Sequence, residues 1–155
     1  MELIEPISRK LIRLGKLYLA VLVKHTVHLD VTRYHYILSL IYFHDGQLTQ
    51  NALAHLLGKD KSAMVSIINL LTEKGFVYRE NNPNDRRQQL LRVTDKAKLA
   101  VPQIIKTFEN INADITGGIS EADMRVFESV LARMHKNLKP LISPETTLQA
   151  KSHTD

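Results

Sequence analysis

The chain has 155 residues, 44% of them hydrophobic, with 21 Lys and Arg against 16 Asp and Glu, a net charge of +5 and a pI near 9.5. That much apolar material excludes wholesale disorder and suits one domain with helical extensions. The basic surplus favours a polyanionic partner, nucleic acid before an anionic membrane surface. The absence of cysteine excludes disulfides, thiolate metal sites, cysteine nucleophiles and thiol redox sensing.

The opening residues Met1-Glu2-Leu3-Ile4-Glu5 carry no basic n-region, and no small-residue cleavage site follows an apolar core. The longest apolar run, Leu17 to Val23 between Lys16 and Lys24, is too short to span a bilayer, so a cytoplasmic location without a membrane partner is expected. Ile4, Ile7, Leu11, Leu14, Tyr18 and Val21 step by threes and fours, the seam of a helix that packs on another helix. Thr32 is the expected cap of a second helix carrying Tyr34, Ile37, Leu38, Leu40, Ile41 and Tyr42, which His44-Asp45-Gly46 ends.

A short helix follows, with Thr49 as N-cap and Leu53, Leu56 and Leu57 as its apolar stripe, stopped by Gly58. After a turn of few residues, Asp60 takes the N-cap position of a helix with Met64, Ile67, Ile68 and Leu71 on one face, ending at Gly75. Two short helices joined by a tight Gly-containing turn are the helix-turn-helix signature. From Phe76 the period changes to two: Phe76 to Arg79 reads as a strand, Asn81 to Asp85 as a turn, and Leu91 to Val93 as the returning strand. A hairpin in that place is a wing.

Thr94 caps a long helix with seam Val101, Ile104, Phe108, Ile111 and Ile115, in which Pro102 is expected to cause a bend. Gly117-Gly118 breaks the chain. Ser120 to Asp123 opens a last helix like a capping box with Asp for Glu, and its seam is Phe127, Leu131, Met134, Leu138 and Leu141. The expected fold is therefore mainly α with a small β-hairpin wing. Its parts are an N-terminal dimerisation helix over 1–31, a winged helix-turn-helix module over 32–93, C-terminal dimerisation helices over 94–141 and a disordered tail over 142–155. Seams at both chain ends are most simply satisfied by packing together and against a second subunit in a two-fold homodimer.

With these elements placed, the chain resembles the multiple antibiotic resistance regulator (MarR) family of bacterial winged-helix repressors. The residues that carry the likeness are Leu53-Ala54-His55-Leu56-Leu57-Gly58, Leu70-Leu71-Thr72-Glu73-Lys74-Gly75-Phe76-Val77, and Asn84-Asp85-Arg86-Arg87 running to Val93-Thr94. The last is similar to the family's wing pattern, Asp-x-Arg followed by a strand ending in Leu-Thr. Val93 departs from the usual Leu, Ala97 stands where a Gly often follows, and Ala63 and Val65 occupy positions where hydroxyl residues are common.

The resemblance implies a sequence-specific regulator of transcription that binds double-stranded DNA. It further implies a repressor released by a small aromatic or anionic effector. If Met64, Ile67, Ile68 and Leu71 face inward, Ser62, Ala63, Ser66 and Asn69 face outward with Lys61 at the first turn, where helix-turn-helix proteins read bases. Lys59 and Lys61 oppose the helix dipole, a penalty that a phosphate would reverse. The family pattern places Arg87 in the minor groove with Asp85 orienting it. Arg86, Arg79 and Arg92 fit phosphate contacts or solvated strand positions. Thr49 and Gln50 could meet a phosphate, though Thr49 is also a plain cap. Tyr18, His35, Tyr36 and Phe108 fit an effector pocket between the dimer helices and the winged module, and each also fits a core position.

Seven histidines raise the question of a metal, but no Cys or Glu cluster completes a ligand set with His25, His28 and His35, so neither metal nor cofactor is expected. No phosphate loop, nucleophile motif or framed carboxylate pair suggests an enzyme. The competing reading is a winged-helix module that uses the same surface for a protein partner without sequence-specific DNA binding.

Overall fold

The computed structural model describes residues 4–142. The chain forms two compact units, a larger one ending at Ala113 and a second beginning at Asp114. The expected disordered tail lies, from residue 143 onward, outside the described residues.

In the larger unit α1 spans Ile7–Thr26, with Pro6 at its N-cap position, where a missing N–H costs nothing. A 3₁₀ turn over Val27–Leu29 leads through Asp30 and Thr32, both at positive φ, into α2, His35–Phe43. Thr32 is thus not a cap. Its left-handed backbone turns the hydroxyl onto the carbonyl of Val31, and Tyr34 takes the N-cap position without a side-chain bond. His44 closes α2 by donating its N–H to Leu40 O, and Gly46 supplies the positive φ of the exit.

Next comes α3, Gln50–Leu56, where Thr49 Oγ1 accepts the Ala52 N–H at 3.1 Å, the expected cap. Its buried residues are Leu53 and Ala54, while Leu56 is exposed: with only two turns, the helix puts a single stripe inward and Leu56 falls off it. Then α4, Lys61–Glu73, buries Met64, Ile67, Ile68 and Leu71, as the spacing requires. Asp60 holds the N-cap position in extended backbone, but its side chain makes no cap bond.

The hairpin is longer than the sequence suggests. Strand β1 covers Val77–Asn82 and β2 covers Asp85–Val93, antiparallel, with only Pro83-Asn84 between them. Register runs from Val77 opposite Val93 to Asn81 opposite Gln89, then jumps to Asn82 opposite Asp85. Arg86, Arg87 and Gln88 therefore form a bulge on β2. The base of β2 is also held from its other side, by an antiparallel bridge between Thr49 and Leu90 and by the Leu91 N–H to Leu48 O at 2.8 Å.

Helix α5, Asp95–Ile115, runs through Pro102 without interruption. Thr94 accepts the Ala97 N–H at 3.3 Å and donates its hydroxyl to Gly75 O at 2.7 Å, so one side chain caps α5 and ties it to the end of α4. The core lies among α2 to α5 and the hairpin base, with Leu38, Ile41, Leu53, Met64, Ile68, Leu71, Phe76, Val101 and Ile104 fully buried. By contrast α1, 20 residues long, buries only Leu22 and Thr26, and its seam residues Leu11, Leu14 and Val21 stay exposed.

The second unit is chiefly α6, Glu121–Ile142, which buries no residue of its own. At its start Ser120 Oγ accepts the Asp123 N–H and donates to the Asp123 carboxylate at 2.7 Å, so the capping pair closes side chain to side chain. Among the described residues no helix is long and apolar enough to cross a membrane.

Candidate nucleic-acid interface

Burial of the four apolar residues of α4 fixes what the helix turns outward. Lys61, Ser62, Ala63, Ser66 and Asn69 are all exposed. Ser66 spends its hydroxyl proton on Ser62 O at 3.3 Å within the helix, which leaves its oxygen free to accept. Lys59 and Lys61 lie at the amino end, and no carboxylate is within ion-pair range of either among the described residues.

Beside the outward face, Arg79 of β1 reaches across the helix pair. One nitrogen, Nη2, donates to Gln50 Oε1 of α3 and to Asn69 Oδ1 of α4, each at 2.8 Å. The sequence offers Arg79 as a phosphate contact or solvated strand residue, and the structure instead places it in this bridge. The short turn between α4 and β1 brings the strand's start back over the helix, but which partners Arg79 meets there has no mark in the sequence.

Between the amino end of α3 and β2 lies a cleft of about 580 Å³. Its lining includes Gln50, Arg79, Arg86, Arg87, Gln88 and Gln89, and no acidic side chain contributes to it. The bulge aims Arg86 and Arg87 here, both exposed and without an ion-pair partner among the described residues. Asp85 does not grip the guanidinium of Arg87. Its Oδ1 accepts the backbone N–H of Arg87 at 3.0 Å, which fixes the main chain where the bulge begins. Arg92 is taken out of contention, since it pairs with Glu80 at 3.4 Å and with Asp45 at 3.6 Å.

Tyr18, His35, Tyr36 and Phe108 come together around a second cavity, of about 340 Å³, with Leu22, Arg33 and Asn112. The Tyr18 hydroxyl donates to Asn112 Oδ1 at 3.0 Å, and burial raises its pKa. His35 is 1% exposed. Thr26 Oγ1 donates to Leu22 O at 2.7 Å and so has no proton left for His35 Nε2, also 2.7 Å away. The hydrogen must therefore sit on Nε2, and Nδ1 has no partner among the described residues. Burial lowers the imidazole pKa. Arg33, the cation of this cavity, was not singled out from sequence. Among the described residues no group of three His, Asp or Glu is placed to hold a metal ion.

The sequence model of the MarR family matches residues 29–88, which hold α2, α3, α4, the turn and most of the hairpin. A protein of Thauera aromatica named for transcriptional regulation of the hcr operon is 30% identical over 89 residues. That match spans 57% of this chain and about half, 54%, of the relative. A MarR-family transcriptional regulator from Listeria monocytogenes, solved with 26mer DNA, superposes with a TM-score of 0.77 at 23% identity, covering 87% of this chain and 90% of that one. The S. aureus MepR–DNA complex gives 0.78 at 20% identity, covering 86% and 96%. At these identities the likeness shows the fold, a winged helix.

Proposed function

We propose that this chain is a sequence-specific double-stranded-DNA-binding regulator of transcription, acting as a homodimer and released from its operator by a small ligand. One observation carries the DNA reading: the exposed polar face of α4 stands beside an arginine-lined, acid-free cleft that includes the bulge of the wing. Helix-turn-helix modules place such a face in the major groove, and an adjacent wing is placed to meet the backbone or the minor groove. The relatives solved with DNA support the same reading. Lys61, Ser62, Ala63, Ser66 and Asn69 are then the groove-facing residues of α4, and Asp85, Arg86 and Arg87 those of the wing.

The dimer rests on exposed apolar residues at both chain ends. In α1 these include Ile7, Leu11, Leu14, Leu17 and Val21, and in α6 Phe127, Val130, Leu138 and Leu141. Apolar faces of that extent on soluble helices mark interfaces. Supporting the ligand is the 340 Å³ cavity, a size that suits a small aromatic molecule, with Arg33 available to a carboxylate. The protein is on this reading a repressor and not an enzyme.

The test begins with selection from a random duplex pool. Affinity for the selected duplex should fall steeply with salt, and Lys61→Ala should weaken all sequences alike while lowering the salt slope by about one. A pool that yields nothing, or binding indifferent to salt, refutes the DNA reading and leaves a protein partner for this surface. Sedimentation as a monomer at micromolar concentration refutes the dimer.

A further inference from the structure

The bridge made by Arg79 has a chemical consequence for the face beside it. A guanidinium carries only donors. The atoms that Gln50 and Asn69 turn toward Arg79 must therefore be their oxygens, and the usual ambiguity between amide oxygen and nitrogen does not arise. Nη2 has two hydrogens and meets two acceptors, so it is saturated. No carboxylate is within ion-pair range of Arg79 among the described residues, so its charge is not cancelled.

An unrestrained asparagine on a recognition helix reads adenine with both ends of its amide, the oxygen accepting from N6 and the nitrogen donating to N7. That pairing needs the oxygen aimed at the base together with the nitrogen. Each oxygen keeps a second lone pair, so the constraint is one of direction: with both oxygens aimed at Arg79, the N–H groups of Asn69 and Gln50 are the ends turned away from it, next to a positive charge.

We propose that Arg79 is a specificity-determining positioning residue: by holding the amide oxygens of Asn69 and Gln50 it orients their N–H groups toward hydrogen-bond acceptors on DNA and disfavours the bidentate adenine contact. The inference rests on the DNA-binding reading above. The acceptors that fit are the N7 of a purine, the O6 of guanine or the oxygens of a phosphodiester, which share the chemistry the patch demands.

The bridge itself is tested without DNA. Side-chain amide signals of Asn69 and Gln50 in a ¹⁵N correlation spectrum, assigned with Asn69→Ala and Gln50→Ala, should shift in Arg79→Met. Backbone signals outside the contact should hold still. Unmoved amide signals overturn the proposal. So does a melting temperature that collapses in both Arg79→Met and Arg79→Lys, since the bridge would then be a structural tie.

The recognition is tested on a duplex selected from a random pool. Asn69→Ala should weaken binding about tenfold, a typical effect for hydrogen bonds beside a charge. Removing the acceptor should weaken the wild type but not the Asn69→Ala variant. A 7-deazapurine or, for guanine O6, a 2-aminopurine substitution does this if the source is a base edge, and a methylphosphonate linkage if it is the backbone. In Arg79→Met the released amides should acquire a preference for adenine at one position per half-site. The proposal falls if none of these substitutions acts, or if replacing an adenine by purine, which lacks the N6 amino group, weakens the wild type and spares Asn69→Ala. Either result leaves DNA binding standing, whereas an empty selection refutes DNA binding first.

Discussion

Asp85 and Arg87 offer the sharpest quantitative test, because the contact between them runs through the main chain. Asp85 Oδ1 accepts the Arg87 N–H at 3.0 Å on an exposed hairpin, so water can replace the carboxylate once it is removed. Asp85→Ala should therefore cost within about 0.5 kcal/mol of folding stability. Binding should suffer more, since the main chain at the start of the bulge loses its anchor, and a loss of about 1 kcal/mol is roughly fivefold in affinity. If Arg87 meets a groove or phosphate as proposed, Arg87→Ala should cost about 1–3 kcal/mol, roughly five- to 150-fold. Little further loss should appear in the double variant, and Arg86→Ala should add independently. Asp85→Asn decides the mechanism. Its amide oxygen can still accept the Arg87 N–H, and it removes a negative charge that opposes DNA phosphates. Affinity should stay within about twofold of wild type or rise. The assay is fluorescence anisotropy on a selected duplex at fixed salt, with thermal melts alongside. If Asp85→Asn is as damaging as Asp85→Ala, the carboxylate charge matters and the main-chain account is wrong. Strictly additive losses for Asp85→Ala and Arg87→Ala would remove any orienting role.

Thermal stability should fall as pH drops below about 6.5, the unperturbed imidazole value, because burial depresses the His35 pKa in the folded state. The unfolded chain then takes up a proton that the native state refuses, so stability is complete above 6.5 and declines toward the lower folded pKa. Melts from pH 7.5 to 5.0 should show a shallower slope in His35→Gln than in wild type, and equal slopes would contradict this. Thr94→Val deletes the bonds to Gly75 O and from the Ala97 N–H. It should cost about 1–2 kcal/mol, lowering Tm by about 3–8 °C by circular dichroism, and an unchanged Tm would show that neither bond matters.

Elements whose signal is periodic burial were legible in the sequence. The inward face of α4 follows from Met64, Ile67, Ile68 and Leu71 alone, because a helix that buries one stripe must expose the opposite one. Thr49 and Thr94 were legible as caps for a similar local reason. Thr32 was not, since its hydroxyl suits a cap but Asp30 and Thr32 take positive φ, which the tertiary path dictates. The length of β2 was hidden because Arg86 to Gln89 are polar throughout and show no alternation. The Gln50–Arg79–Asn69 bridge joins three elements over separations of 29 and 10 residues. Pattern reading along one segment cannot supply such a contact. Sequence did select the four residues around the smaller cavity, yet Arg33 escaped because a lone arginine before a helix carries no periodic mark.

The hairpin is clamped at one end only. Near its base Leu91 is bonded by both backbone groups, its N–H to Leu48 O and its C=O from the Gly46 N–H at 2.9 Å, while Arg86 to Gln88 stand outside the strand register. Such a strand behaves as a cantilever, stiff at the root and compliant at the tip. Amide exchange should grade along it, with Leu91 opening only on global unfolding and the bulge exchanging through local excursions. A compliant tip can follow grooves of different width without disturbing the helix pair. The entropy lost on immobilising it falls on a few residues, and so tightening the bulge chemically would raise affinity while narrowing the range of duplexes tolerated.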